Sequence, residues 1–265
     1  MIATNLLLRR ALSTQKADIG QIFFQDNIQR ILKDISRFKE EKIFARRPVP
    51  VIESSKFVFM TDEQLAKAKE DSYERAKASL QMPPVLAANT SPPAILAKDE
   101  DIVGYTKFKV LFIDISSGGT NRQRLMSVRE TDGTLREPTH DERSRLNHMF
   151  YPSKSATIDP PKLFEEEQLQ KLLRKKQYKF ILDRACVQFE PDDPRYVDIT
   201  TRVYKHINDR GEYDKLRSTR HFGPMSLYLA YSKQADDLII EMLSKGFIED
   251  AAKLVQVYNT CHNIE

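Results

Sequence analysis

The chain is 265 residues long, with 42 Lys and Arg against 38 Asp and Glu for a formal net charge of +4, and 40% of it is hydrophobic, including 14 Phe and 10 Tyr. That apolar fraction excludes wholesale disorder, eight Gly count against an all-β fold rich in tight turns, and no stretch approaches the ~18 consecutive apolar residues of a membrane helix. The charge allows a nucleic-acid partner without demanding one, but it is unevenly spread: residues 1–60 carry a net +5, residues 104–154 a net +3 and residues 221–265 a net −3. The basic front and middle are suited to phosphates and the acidic end to proteins, with an ordinary solvated surface as the competing reading.

The opening MIATNLLLRRALSTQK holds Arg9, Arg10 and Lys16, hydroxyls at Thr4, Ser13 and Thr14, and no acid before Asp18. This is the composition of a mitochondrial transit peptide, whereas a secretory signal would place its charge before a longer apolar stretch than Leu6 to Leu8. Residues 1–17 are expected to direct import into the mitochondrial matrix and to be removed; a frayed basic terminus is the alternative. From Asp18 to Phe44, the helical spacing of Ile28, Ile31, Leu32, Ile35 and Phe38 predicts one amphipathic helix. Pro48 and Pro50 deny helix to the segment that follows. Thr61 and Gln64 form a capping box ahead of Leu65, Tyr73, Ala76 and Leu80, predicting a second helix that Met82, Pro83 and Pro84 end. The four prolines between Pro83 and Ile102 read as an ordered linker or a loop laid on something else.

Between Tyr105 and Arg136 the period changes to two. KFKVLFIDI, RLMSVRE and TLRE predict a small three-stranded antiparallel sheet, turned first at Ser117, Gly118, Gly119 and Asn121 and then at Asp132 and Gly133. Thr139 with Glu142 caps a short helix, Asp141 to Met149, that Tyr151-Pro152 closes. After Pro161 the chain reads as helix, at about 162–176, 178–189, 194–208, 211–218, 224–231, 234–245 and 247–259, interrupted by EPDDP, Gly211, Gly223-Pro224 and Gly246. Short helices on short loops suggest hairpins stacked as in a solenoid, although no strict repeat period is visible. The expected fold is α+β and mainly α: a helical and proline-rich extended segment over 18–103, a small sheet with a following helix over 104–152, and a helical, solenoid-like domain over 160–265.

Signatures of catalysis are missing. The sequence holds no G-x-G-x-x-G, no G-x-x-x-x-G-K-[ST] and no G-x-S-x-G, and the five histidines show no H-E-x-x-H spacing. Cys186 and Cys261 belong to no C-x-x-C pattern, so neither a zinc site nor a disulfide framework is indicated, and a reducing compartment fits. No enzyme activity, cofactor, metal, membrane or small-molecule substrate is expected. Basic and aromatic clusters remain. Lys107 and Lys109 alternate with Phe108 on the first strand, and Arg122 and Arg124 flank the Gly-rich turn; phosphate could dock there, or the pattern is the solvated face of the sheet. In KLRSTRHFG, Arg217, Arg220 and His221 crowd around Ser218 and Thr219 beside Phe222, a set that could grip phosphate and stack a base, or could be a basic helix end with Phe222 buried. Arg46-Arg47 and the RKK run Arg174 to Lys176 are weaker candidates.

Five strings in order, MPPVL (82–86), VRETDGTLRE (128–137), QFEPDD (188–193), RGEYDKLRSTRHFG (210–223) and DAAKLVQVY (250–258), resemble the metazoan mitochondrial small-subunit ribosomal protein family numbered twenty-two. The similarity runs from about residue 20 to the end. It implies a non-catalytic component of the small subunit of the mitochondrial ribosome, among ribosomal RNA and other ribosomal proteins, and offers no catalytic or RNA-contact motif to carry over. The chain stops at Glu265, where vertebrate relatives continue into a further tail. A matrix helical-repeat adaptor or RNA-processing factor away from ribosomes is the rival reading, and a matrix hydrolase a distant third.

Overall fold

A computed structural model describes residues 18–39, 57–116, 124–152 and 156–262. Asp18 opens the first helix, α1 (Ile19–Phe23), by accepting the Gly20 amide at 3.1 Å, and α2 (Asp26–Ile35) follows after Phe24 and Gln25. The single helix expected over 18–44 is therefore two. The Gln29 side-chain Nε2 donates to the Phe23 carbonyl at 2.7 Å across the break, and α2 ends where Arg37 turns to positive φ. Ile28, Ile31, Leu32 and Ile35 are buried as their spacing predicts. They pack on helices from the far end of the chain, as described below.

The third helix, α3 (Asp62–Ser79), begins at the expected capping box, with Gln64 Oε1 accepting from the Thr61 amide at 3.2 Å and Thr61 Oγ1 from the Gln64 amide at 3.4 Å. Its apolar stripe is not buried: Leu65 and Tyr73 stand out into solvent. The proline-rich stretch does two things. Met82 and Pro83 are buried against the helical body, and Ile95–Lys98 forms a strand, β1, that the sequence reading did not anticipate.

The sheet is antiparallel with the order β1-β4-β3-β2, where β2 is Val110–Ile113, β3 Met126–Arg129 and β4 Thr134–Arg136. The three predicted strands are present, and β1 adds to the edge of β4 by pairing Ile95 with Arg136 and Lys98 with Thr134. The turn between β3 and β4 uses Gly133 at φ 82°, while the Asp132 carboxylate accepts the Thr134 amide. A side chain at Gly133 would collide with the Asp99 carbonyl, since a Cβ there lies 1.9 Å from that oxygen. The first predicted turn, with Arg122, lies outside the described residues. Thr139 and Glu142 cap α4 (His140–Phe150) reciprocally, and Met126 and Val128 of β3 and Leu146 of α4 are buried apart from the main core.

The helices after Pro161 fall close to their predicted ranges: α5 (Glu166–Arg174), α6 (Tyr178–Gln188), α7 (Pro194–Arg210), α8 (Phe222–Tyr231), α9 (Asp236–Ser244) and α10 (Ile248–His262). The predicted helix at 211–218 is a short 3-10 turn, Tyr213–Lys215. Four helix ends share one device, a left-handed residue at Lys176, Gly211, Lys233 or Gly246 followed by an amide that reaches back to the carbonyl five residues earlier. Glycine takes that conformation without a Cβ clash; the two lysines adopt it against a cost of roughly 1–2 kcal/mol each. Consecutive helices pack as hairpins, α5 on α6, α6 on α7, α7 on α8 and α9 on α10, while α8 and α10 pack on each other and α2 packs on both. The main core therefore runs from Ile19 to Cys261. Gly223 is where the N-terminal elements meet α8: a Cβ there would lie 2.4 Å from Met82 Sδ and 3.1 Å from Leu32 Cβ.

Candidate nucleic-acid interface

The segment 210–223 is a turn-rich bridge between α7 and α8. Gly211 ends α7, the 3-10 turn follows, and Ser218 takes φ 68°. That conformation aims the Ser218 amide at the Ser36 carbonyl, 2.9 Å away, and lets Ser218 Oγ accept the Lys39 amide at 2.6 Å. Thr219 Oγ1 donates to the Leu216 carbonyl at 2.6 Å. The two hydroxyls proposed as phosphate donors thus fasten the bridge to the end of α2 and to itself.

Arg217 is 5% exposed. Its guanidinium donates to Glu241 at 2.6 Å and to Asp214 at 3.2 Å, and lies 4.8 Å from the Phe222 ring centroid and 5.1 Å from that of Phe247. Lys245 closes the same cluster on Asp214 and Glu241; burial alone would lower its ammonium pKa, but those two carboxylates outweigh it and raise it. Arg220 donates to Asp183 Oδ1 through Nε at 2.9 Å and Nη2 at 2.6 Å. His221 is fully buried, with Nε2 3.0 Å from the same Asp183 oxygen and Nδ1 without a hydrogen-bond partner among the described residues. A carboxylate only accepts, which places the His221 proton on Nε2. Burial pushes the His221 imidazole below its ordinary value, and Asp183 is held low because the contributions of His221 and Arg220 outweigh its own burial. Phe222 is fully buried. The structure therefore gives Arg217, Arg220, His221 and Phe222 internal partners, the arrangement that the sequence left open as the alternative to a phosphate grip.

The sheet candidates separate. Lys107 and Lys109 lie just before β2 rather than on it. Lys109 Nζ donates to Glu142 Oε1 at 2.5 Å, joining a cluster in which Arg136 contacts Glu130 at 2.5 Å and Glu142 at 2.8 Å. The Arg136 and Lys109 hydrogen bonds hold the Glu142 carboxyl far below the usual carboxylate range despite partial burial. Lys107 is exposed with no ion pair among the described residues. Arg124 stacks its guanidinium 3.4 Å from the Tyr151 ring centroid and donates to the Ser116 carbonyl at 3.2 Å. Arg46, Arg47 and Arg122 lie outside the described residues.

The weaker sequence candidate fares differently. At the α5–α6 turn, Arg174, Lys175 and Lys179 are exposed and take part in no ion pair among the described residues, beside the half-exposed Phe180; Lys176 pairs with Glu212 at 2.6 Å. The signal available in the sequence was five cations, Lys171, Arg174, Lys175, Lys176 and Lys179, among the fifteen acid-free residues between Glu167 and Asp183, a denser basic run than the acid-free stretch around KLRSTRHFG, which holds Lys215, Arg217, Arg220 and Lys233 among twenty-one. One group of metal-ligand type exists among the described residues: His140, Glu190 and Asp192 bring their ligand atoms within 4.8 Å of one another. Arg143 and Arg195 line the same crevices, so the carboxylates have cations at hand without a metal.

Comparison with known proteins decides the relationship. The sequence profile of the mitochondrial 28S ribosomal protein S22 family (MRP-S22) matches residues 21–263. The chain belongs to that family. Members similar to it include the small ribosomal subunit protein mS22 of Bos taurus, 35% identical over 243 residues, and that of Mus musculus, 34% identical over 240 residues. Each alignment covers 91% of this chain and 67% of the relative. The described surface carries large apolar side chains. Phe57, Val58, Phe59, Tyr105, Phe108, Ile115 and Leu125 are all more than half exposed.

Proposed function

We propose that this protein is a structural component of the small subunit of the mitochondrial ribosome, working in the matrix without catalytic activity of its own. The observation that carries the reading is the family match across residues 21–263, which takes in both the sheet and the helical stack. The polar chemistry of the described residues supports it: the buried Arg217 and His221 sit in ion-pair clusters with Glu241 and Asp183 rather than at an open site. Ribosomal RNA is contacted by the exposed cations Arg174, Lys175, Lys179 and Lys107, with Arg46, Arg47 and Arg122 as further candidates. Neighbouring ribosomal proteins cover the exposed apolar residues of the sheet and of the segment before α3. Sedimentation of a mitochondrial lysate in magnesium tests the reading: the endogenous protein co-migrates with small-subunit ribosomal RNA, and recovery only in light fractions would favour a free matrix adaptor.

A further inference from the structure

The outward faces of the helical stack are not alike. On α5 the exposed residues are Glu166, Glu167, Gln168, Gln170, Lys171 and Arg174, and on α7 they are Asp198, Arg202, Lys205, Asp209 and Arg210, polar throughout, while α6 exposes two large apolar residues, Phe180 and Val187. The α9–α10 hairpin exposes four. Helix α9 turns Leu238 and Met242 inward and leaves Ile240 63% and Leu243 50% exposed. Helix α10 turns Ala251, Leu254, Val257 and Cys261 inward and leaves Ile248 68% and Val255 41% exposed. Ile240 and Leu243 are three apart and Ile248 and Val255 seven apart, so each pair lies on one side of its helix.

The rim of this surface has a sign. Asp236, Asp237 and Glu249 are exposed and form no ion pair among the described residues. The nearby cations are engaged elsewhere: Lys245 with Asp214 and Glu241, and Lys253 with Asp34 at 2.8 Å. Lys233, at the turn before α9, is exposed but outnumbered. An apolar stripe with acids at its ends repels phosphate and attracts Lys and Arg. We propose that the outer face of the α9–α10 hairpin docks an amphipathic helix with a basic flank from a neighbouring protein. Such a helix reads as apolar anchors at i, i+3, i+4 and i+7 with cations beside them. The inference deepens the reading above, because a protein that lies against ribosomal RNA carries such cations.

The test uses the purified full chain and two labelled helical peptides with the same leucine seam, one flanked by lysines and one by glutamates. Anisotropy is expected to show the lysine peptide binding at least about tenfold more tightly than the glutamate peptide, with the gap narrowing as salt rises. Replacing Ile240 and Ile248 by Ser weakens the lysine peptide by about tenfold or more and leaves the melting temperature unchanged, because both side chains are already in water. Equal affinity for the two peptides, indifference to the Ser variants, or displacement of the peptide by single-stranded RNA would overturn the proposal. In isolated small subunits, a photocrosslinking residue in place of Leu243 should join to protein; a crosslink to ribosomal RNA, or none, counts against it. Failure of the chain to sediment with small subunits would defeat the functional reading alone, since the peptide measurement needs no ribosome.

Discussion

Arg217 donates to Glu241 across 2.6 Å, with side chains 6% and 15% exposed, so an ion pair closes the seam between the α7–α8 bridge and α9. Removing one partner of a buried pair leaves the other charge stranded, at a cost of about 3–5 kcal/mol. Arg217→Gln is expected to lower the melting temperature sharply, and Glu241→Gln to do likewise. Adding the second change to the first should cost less than the sum of the two, which a double-mutant cycle measures. If Arg217 faced phosphate instead, the single change would spare folding and weaken RNA binding.

Phe222 and Gly223 stand side by side in the core and fail for opposite reasons. Phe222→Ala leaves a cavity, at about 3–5 kcal/mol. Gly223→Ala overfills: its Cβ would sit 2.4 Å from Met82 Sδ and 3.1 Å from Leu32 Cβ, so α2 and the MPPVL segment must give way. Denaturant melts should show both variants destabilised, and Met82→Ala should partly rescue Gly223→Ala but not Phe222→Ala.

His221 makes folding pH-dependent. Its folded pKa lies below the ordinary 6.5, so between the two values the unfolded chain binds a proton that the folded chain does not. Stability is therefore full above about pH 6.5 and falls as the pH drops, by at most about 1.4 kcal/mol per pH unit from this one group. Asp183, also depressed, adds a further loss as the pH falls through the ordinary carboxylate range. His221→Gln keeps a donor for Asp183 and removes the titration. Its melting temperature should change less between pH 7 and pH 5 than that of the unaltered protein; an equal slope would contradict the assignment.

Gly246 occupies φ 76° with open space where a Cβ would go. Gly246→Ala should therefore cost only backbone strain, about 1–2 kcal/mol, with no change in packing. Lys233 holds the equivalent position at φ 59°, and Lys233→Gly should be neutral or slightly stabilising, because relief of strain is offset by a freer unfolded chain. Thermal melts of the two variants check the pair.

Exposed cations should control RNA affinity. Changing Arg174, Lys175 and Lys179 together to Gln is expected to make the dependence of log affinity on log salt shallower by about 2 to 3, at ~0.7–0.9 per phosphate contact, while the melting temperature holds. An unchanged slope would move the RNA contacts to another face.

Local chemistry made much of this legible from the amino acids. Capping boxes at Thr61 and Thr139, the Asp132-Gly133 turn and the 3.6-residue periodicity after Pro161 act within a few residues, so they identify elements wherever those elements end up. The family strings carried the function in the same way. What the tertiary structure decided depended on residues far apart in the chain. Ile95–Lys98 became a strand because β4 offered an edge; α2 ended at Ile35 because the Ser36 carbonyl meets the Ser218 amide; and Arg217 turned inward because α9 brought Glu241 to it. A cation cluster reads the same in sequence whether it faces a phosphate or a carboxylate. Only the packing of distant helices supplies the counter-charge that distinguishes the two.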